Sequence, residues 1–232
     1  MDNNIAVYID ADNINSEHLK IIYKEIRNKG RIIIKRVYGD WTSENMGNWK
    51  KVCRNYGLEP ITAFNTPNKN SSDMKLTVDI MRHLFTLKQT INTFIIISSD
   101  SDYIPVISEI RKEGKKAIVV GYKGSTSKCL INSCDEFLTI ENILPKKRKS
   151  KVYYSSLQVD LNSLKEQIYN ILLRQENHIN LGRLKELIIL DDPTFDQRNF
   201  NVNSMTQLIE LFPDDFSYYH KVRGAIYVCC KN

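Results

Sequence analysis

The stretch Ile5-Ala6-Val7-Tyr8-Ile9-Asp10-Ala11-Asp12-Asn13 is an apolar run that stops abruptly on two acids and an amide. A continuous apolar segment too short for a helix reads as a strand buried on both faces, as in a parallel sheet lying under helices. In open α/β sheets the ligand crevice lies beyond the carboxyl ends of the strands, so acids at such an end stand where chemistry happens. The pattern returns far downstream, where Thr93-Phe94-Ile95-Ile96-Ile97-Ser98-Ser99 runs into Asp100-Ser101-Asp102. Two such strands side by side would bring Asp10, Asp12, Asp100 and Asp102 to one edge.

The intervening chain alternates between the two periods. Leu19, Ile22, Tyr23 and Ile26 recur at helical steps between a capping Ser16 and Gly30. Strands are expected at 31–38, 60–64, 93–98 and 116–121, and helices at 43–56, 73–87 and around 105–112 and 127–133. In the 73–87 helix the expected core stripe is Met74, Val78, Met81, Leu84 and Phe85. This order predicts an α/β fold, a Rossmann-like, mostly parallel sheet with helices on both faces. Residues 65–72 are rich in turn formers and read as an exposed loop.

Pro145-Lys146-Lys147-Arg148-Lys149-Ser150-Lys151 breaks the pattern. The segment 145–156 holds five Lys or Arg and no acid, whereas 157–232 holds eight against ten. It reads as a solvated linker, with a phosphate-touching arm through Lys147 and Arg148 and a nuclear-import signal as alternatives. Beyond it, helical stripes at Leu161–Leu172, Leu184–Ile188 and Met205–Phe212, then a hairpin joining Phe216–Tyr219 to Ala225–Cys229, describe a winged-helix-like α+β module. The expected organisation is 1–144, linker 145–157, and module 158–232. No apolar stretch approaches the roughly 20 residues of a membrane span, and the first residues lack a signal peptide's pattern. The expected location is the cytoplasm. Five irregularly spaced cysteines match no zinc pattern and read as reduced and structural.

Clustered carboxylates at strand ends repel one another, and burial adds to their cost, so something must neutralise them. Hard, oxygen-ligating Mg²⁺ or Mn²⁺ is the natural partner, with substrate phosphate completing its shell. Asp10, Asp73 and Asp100 are the candidate ligands. Asp12 or Asp102 would act through water, and Asn13 would orient a ligand or the phosphate. The competing reading for Asp12, Asp73 and Asp102 is helix capping. Asp79, six residues after Asp73, faces elsewhere by helical phase and is equally a structural partner. Lys69 and Lys75 flank Asp73 and are candidates for a backbone phosphate, as are Ser125 and Thr126. Each has an ordinary structural alternative. Trp41 and Trp49 suit packing of the second helix better than base stacking. Four scattered histidines support neither a His-based metal site nor a nucleophilic triad.

I-D-A-D-N at 9–13, S-S-D-M-K-L-T-V-D at 71–79 and S-S-D-S-D-Y-I-P at 98–105 resemble the three acidic motifs of the NYN domain. That family is the LabA-like branch of the PIN-type ribonucleases. G-Y-K-G-S-T-S-K-C-L at 121–130 and C-D-E-F at 134–137 fit the same pattern. The resemblance covers residues 5–144 and implies metal-dependent cleavage of RNA, with the family's acids on Asp10, Asp73 and Asp100 and with Asp102 and Asn13 in support. Some members bind without cleaving, so the alternative is a catalytically inactive RNA-binding or scaffold protein of the same fold. Residues 158–231 resemble the LOTUS, or OST-HTH, domain, through I-N-L-G-R-L-K-E-L at 179–187, D-P-T-F-D-Q-R-N-F at 192–200 and S-M-T-Q-L-I-E-L-F-P at 204–213. Where that family has an aromatic followed by Gly, this chain has Phe200-Asn201, and Asn also tolerates positive φ. The resemblance implies RNA or protein binding there, with Arg183, Lys185, Arg198, Lys221 and Arg223 beside Tyr218 and Tyr219 as the candidate patch. The expected partners are thus RNA and a protein bound by the C-terminal module, with homodimerisation left open and no membrane.

Overall fold

The computed structural model describes residues 3–43, 46–62, 71–144, 154–220 and 224–231, with the side chains of 154–160 left out. Contacts between Cα atoms divide the chain into two compact units, Met1–Leu144 and Pro145–Asn232. Lys69, the linker residues Lys147 and Arg148, and Lys221 and Arg223 lie outside the described residues.

In the first unit the strands are β1 (Asn4–Asp10), β2 (Arg31–Gly39), β3 (Glu59–Thr62), β4 (Thr93–Ile97), β5 (Lys116–Gly121) and β6 (Glu136–Thr139). They form one parallel sheet in the order β3-β2-β1-β4-β5-β6. The order reverses at β1, so the switch point lies between β1 and β4, the two strands that end in acids. Burial on both faces explains their composition, since Ile5–Ile9 and Phe94–Ile97 are essentially without solvent exposure.

The helices are α1 (Leu19–Arg27), α2 (Gly47–Tyr56), α3 (Ser71–Thr86), α4 (Ile104–Lys112), α5 (Lys128–Ser133) and α6 (Ile140–Ile143). Strand alternation assigns Ile5, Val7 and Ile9 to a core completed by α1, α2 and α6. Ala6 and Tyr8 face the opposite core, with Leu76, Ile80 and Leu84 of α3 and Val106, Ile107 and Ile110 of α4. Asp10, next in phase, is directed to that second side.

One expectation fails on α3. Met74, Val78 and Phe85 are 67, 46 and 56% exposed, and the buried stripe is Ser72, Leu76, Asp79, Ile80, His83 and Leu84. A polar network sets this rotation. Asp79 accepts hydrogen bonds from Tyr38 Oη (3.1 Å), Arg36 Nη1 (3.1 Å) and Lys75 Nζ (2.9 Å), while His83 Nδ1 pairs with Tyr8 Oη at 2.8 Å. A satisfied carboxylate belongs inside, and hydrophobicity alone reads the wrong face. Both tryptophans serve packing, as Trp49 is buried in the α2 core and Trp41 donates to the Ile61 carbonyl at 2.9 Å.

The second unit comprises α7 (Tyr154–Arg174), β7 (His178–Asn180), α8 (Leu181–Asp191), α9 (Met205–Ile209), β8 (Phe216–His220) and β9 (Ile226–Cys230). The three strands form an antiparallel sheet in the order β7-β9-β8. The hairpin lies where the sequence puts it, whereas β7 is three residues long and too short to show a period. Asn201 has φ 61°, the left-handed conformation expected at the Phe200-Asn201 turn. Among the described residues no helix is long and apolar enough to cross a membrane.

Candidate active site

Asp10 closes β1 and is 1% exposed. Its buried carboxylate is surrounded by donors, as such a group requires. Oδ1 accepts from the backbone N–H of Asp12 (3.2 Å) and Asn13 (3.3 Å), and Oδ2 from Asn13 Nδ2 (2.6 Å), Ser98 Oγ (2.9 Å) and Tyr103 Oη (3.2 Å). Asn13 therefore orients Asp10. The Ser98 hydroxyl also accepts the Asp100 N–H at 3.1 Å, tying the ends of β1 and β4 together.

Asp100 caps the 3-10 turn Ser101–Tyr103, its Oδ1 accepting from Asp102 N at 2.9 Å. That turn buries Tyr103, whose hydroxyl lies 2.8 Å from Asp73 Oδ1 as well as 3.2 Å from Asp10. One phenolic proton thus serves two carboxylates. Asp73 comes from the first turn of α3, with Ser72 beside it, whose buried hydroxyl makes no well-formed hydrogen bond among the described residues but stands near enough to Asp12 to favour its ionised form.

Charge accumulates at this edge. Burial raises the pKa of Asp10 above the ordinary carboxylate value, against hydrogen bonds from Ser98 and Asn13. Asp73 is raised by burial and by the charges of Asp10, Asp100 and Asp102, against the Tyr103 hydrogen bond. Asp12 is raised by burial and then by Asp73. No Lys or Arg forms an ion pair with Asp10, Asp12, Asp73, Asp100 or Asp102 among the described residues.

Of the other candidates, Lys75 is engaged with Asp79 rather than turned to Asp73. Ser125 N–H and the Thr126 N–H and hydroxyl are spent on the Tyr122 carbonyl, at 3.3, 3.1 and 2.8 Å, so this loop is held by its own turn. In the second unit, Arg183 pairs with Glu186 and Arg198 with Asp196, which occupies two members of the expected basic patch.

The sequence reading assigned no role to Ser98, Ser72 or Tyr103. All three lie inside the acidic motifs, Ser72 directly before Asp73, Ser98 two residues before Asp100 and Tyr103 three after it. Gly121, at the end of β5, is required by this packing. A Cβ there would stand 2.8 Å from Thr126 Oγ1, 2.9 Å from Ser99 Oγ and 3.0 Å from the Ser98 carbonyl.

The donor set consists of hard oxygens carrying uncompensated negative charge, which suits a divalent cation of the Mg²⁺ or Mn²⁺ kind. Among the described residues no three His, Cys, Asp or Glu side chains gather as a ready metal cage. The fit is to an ion held by one or two carboxylates, with water and substrate oxygens for the rest, as Mg²⁺ is usually bound. The Tyr103 hydroxyl bridges Asp10 and Asp73, which makes these two the candidate pair.

The sequence profile of the NYN domain matches residues 4–141, more than half of the chain. An uncharacterized protein of Methanocaldococcus jannaschii, MJ0482, is 30% identical over 160 residues, which is 63% of this chain and 62% of that protein, so the chain spans less than two thirds of that relative. Among solved structures, the fold resembles that of VPA0982 from Vibrio parahaemolyticus, a protein of unknown function, with a TM-score of 0.52 and 17% identity over 62% of this chain and 96% of that one. That likeness bears on the fold alone. From its six-stranded parallel sheet to its acidic motifs, the chain belongs to the NYN domain family, whose fold is that of the PIN-like nucleases.

Proposed function

We propose that the protein is a metal-dependent ribonuclease that hydrolyses RNA phosphodiester bonds at the edge where β1, α3 and β4 meet. The observation carrying this reading is the convergence of Asp10, Asp73, Asp100 and Asp102 with no basic residue paired to them among the described residues. A buried carboxylate, Asp10, beside the half-buried Asp73 and Asp100 and the exposed Asp102 costs stability, and such an arrangement at a sheet's switch point favours a functional site.

Asp10 and Asp73 would hold Mg²⁺ or Mn²⁺. When bound, the ion supplies an activated water and charge stabilisation for the phosphate oxygens. Asn13 and Ser98 fix the Asp10 carboxylate, so its orientation is settled before substrate arrives. Tyr103 keeps Asp10 and Asp73 adjacent by sharing its proton. Asp100 positions the turn that carries Tyr103 and, with Asp102, adds negative potential next to the pair. Residues 145–157 would form a basic linker, with Lys147 and Arg148 on backbone phosphates. Residues 158–232 would be a LOTUS-like module that directs the nuclease to its RNA. In favour of the latter are three helices and an antiparallel sheet in the expected order, and the left-handed Asn201.

The test is cleavage of end-labelled single-stranded RNA by purified protein in Mn²⁺, Mg²⁺ or EDTA, with Asp10→Asn and Asp100→Asn as controls. Metal-dependent products that vanish in both variants are expected. RNA left intact in every metal but still bound would sink the nuclease reading in favour of a non-catalytic RNA reader.

A further inference from the structure

A cleft of about 390 Å³ opens beside the acidic edge, between the loop after β1 on one side and Asp40, Ser43, Met46 and the start of α2 on the other. Its size lies in the range of about 300–1,000 Å³ typical of small-molecule and cofactor sites, and its lining is more polar than is usual for them. Ile14, Met46 and Trp49, all buried, form the floor. Around them stand the carboxylates of Asp12 and Asp40 and the amides of Asn15 and Asn48.

The cleft adjoins the proposed reaction centre through Asp12, which feels the charges of both Asp73 and Asp40. Asp12 also belongs to the loop whose N–H groups hold Asp10. A group seated in the cleft is therefore a neighbour of whatever phosphate meets Asp10 and Asp73.

The polar rim is biased towards acceptance. Asp40 is held below the ordinary carboxylate pKa by hydrogen bonds from the hydroxyl and N–H of Thr42 to Oδ1 and from the N–H of Ser43, and an ionised carboxylate can only accept. Asn15 commits its side-chain oxygen to Glu17 N–H at 2.9 Å, which leaves its NH₂ without a partner among the described residues. The Asn48 side chain makes no hydrogen bond among them.

We infer that this cleft seats a nucleobase of the RNA next to the scissile phosphate, with guanine preferred and uracil disfavoured. Guanine presents two adjacent donors, N1–H and N2–H₂, to carboxylates that can only accept, and its O6 and N7 accept from an amide NH₂. Uracil offers a single N–H between two carbonyls, which would face Asp12 and Asp40 oxygen to oxygen. The inference rests on the nuclease reading for its substrate, but the cleft binds the base by itself.

The test uses the full chain in EDTA, titrated with guanosine 5′-monophosphate and uridine 5′-monophosphate, and compares the wild type with Asp40→Asn and Asn48→Ala. Asn48 is exposed and Asp40 half-buried, and neither is one of the carboxylates gathered around Tyr103. The guanosine nucleotide should bind about tenfold more tightly, within the discrimination of one good base contact. Asp40→Asn should erase the difference. In the cleavage assay, wild-type cuts should gather beside G, and Asp40→Asn should spread them without abolishing cleavage. Equal binding of the two nucleotides, or a guanosine preference untouched by both substitutions, overturns the inference. Cleavage without base preference also overturns it while leaving the nuclease intact. A guanosine preference lost in Asp40→Asn but without any cleavage supports the cleft and removes the nuclease.

Discussion

Asp73 and Asp79 sit six residues apart on one helix and should respond oppositely to neutralisation. Asp79 is 1% exposed and accepts from Tyr38, Arg36 and Lys75. Burial alone would raise its pKa, but the hydrogen bonds of Lys75 and Tyr38 and the charges of Lys75 and Arg36 hold it below the ordinary value. Removing one partner of a buried charge pair costs about 3–5 kcal/mol. Asp79→Ala should fall at the lower end, about 3 kcal/mol, because Arg36 keeps its pairing with Glu59 at 2.7 Å and Lys75 is 38% exposed. That is roughly a hundredfold in the folding equilibrium, or a urea midpoint lowered by about 1–2 M. Both tryptophans of the chain, Trp41 and Trp49, lie in the first unit, so their fluorescence follows its unfolding alone. Asp73→Asn in EDTA should instead raise the midpoint, since it relieves repulsion from Asp10, Asp100 and Asp102. An Asp79→Ala loss below about 1 kcal/mol would show that the network is a solvated pair of little worth and refute the argument.

Gly121→Ala should destabilise the first unit by about 1–3 kcal/mol and depress cleavage, because the added methyl displaces Ser98 and Ser99. Paired urea titration and cleavage assays check it. Glu136 is buried between Lys29 and Lys116; burial alone would raise its pKa, but their charges hold it below its ordinary value. A depressed carboxylate stabilises fully above its unfolded pKa, about 4.3, and loses that contribution as pH falls through the lower folded value. Glu136→Gln should therefore flatten the stability–pH curve below about pH 4.3. Burial raises the Cys53 thiol to about 11 and the Cys134 thiol to about 12, whereas Cys129 is exposed. At pH 8 a thiol reagent should modify Cys129 in the native protein, and Cys53 and Cys134 only on unfolding.

The sheet and its acidic edge were legible because buried parallel strands spell themselves as continuous apolar runs, and their polar ends stand out against them. Ile5–Asp10 and Thr93–Asp102 marked the edge where the acids meet, and only the strand order made that edge the switch point. The face of α3 was misread because a stripe of Met74, Val78 and Phe85 outweighs Asp79 and His83 in any hydrophobic count. Only the tertiary partners Tyr8, Arg36 and Tyr38, brought from distant strands, make those polar residues cheap to bury. Tyr103 escaped for the same reason. Its bridging of Asp10 and Asp73 joins residues 93 and 30 positions apart, a separation that no local spacing reveals. Lys75 read as a phosphate ligand because its neighbour in sequence is Asp73, whereas one helical turn gives it Asp79.

The central proposal is that the acidic edge binds a divalent cation. Its most direct test is a Mn²⁺ titration of the full chain, followed by the ion's paramagnetic resonance, for the wild type and for an Asp10→Asn/Asp73→Asn double variant. Saturable binding by the wild type that is lost in the double variant, with folding verified by tryptophan fluorescence, is the predicted result. Equal Mn²⁺ binding by both proteins, or by neither, would contradict it.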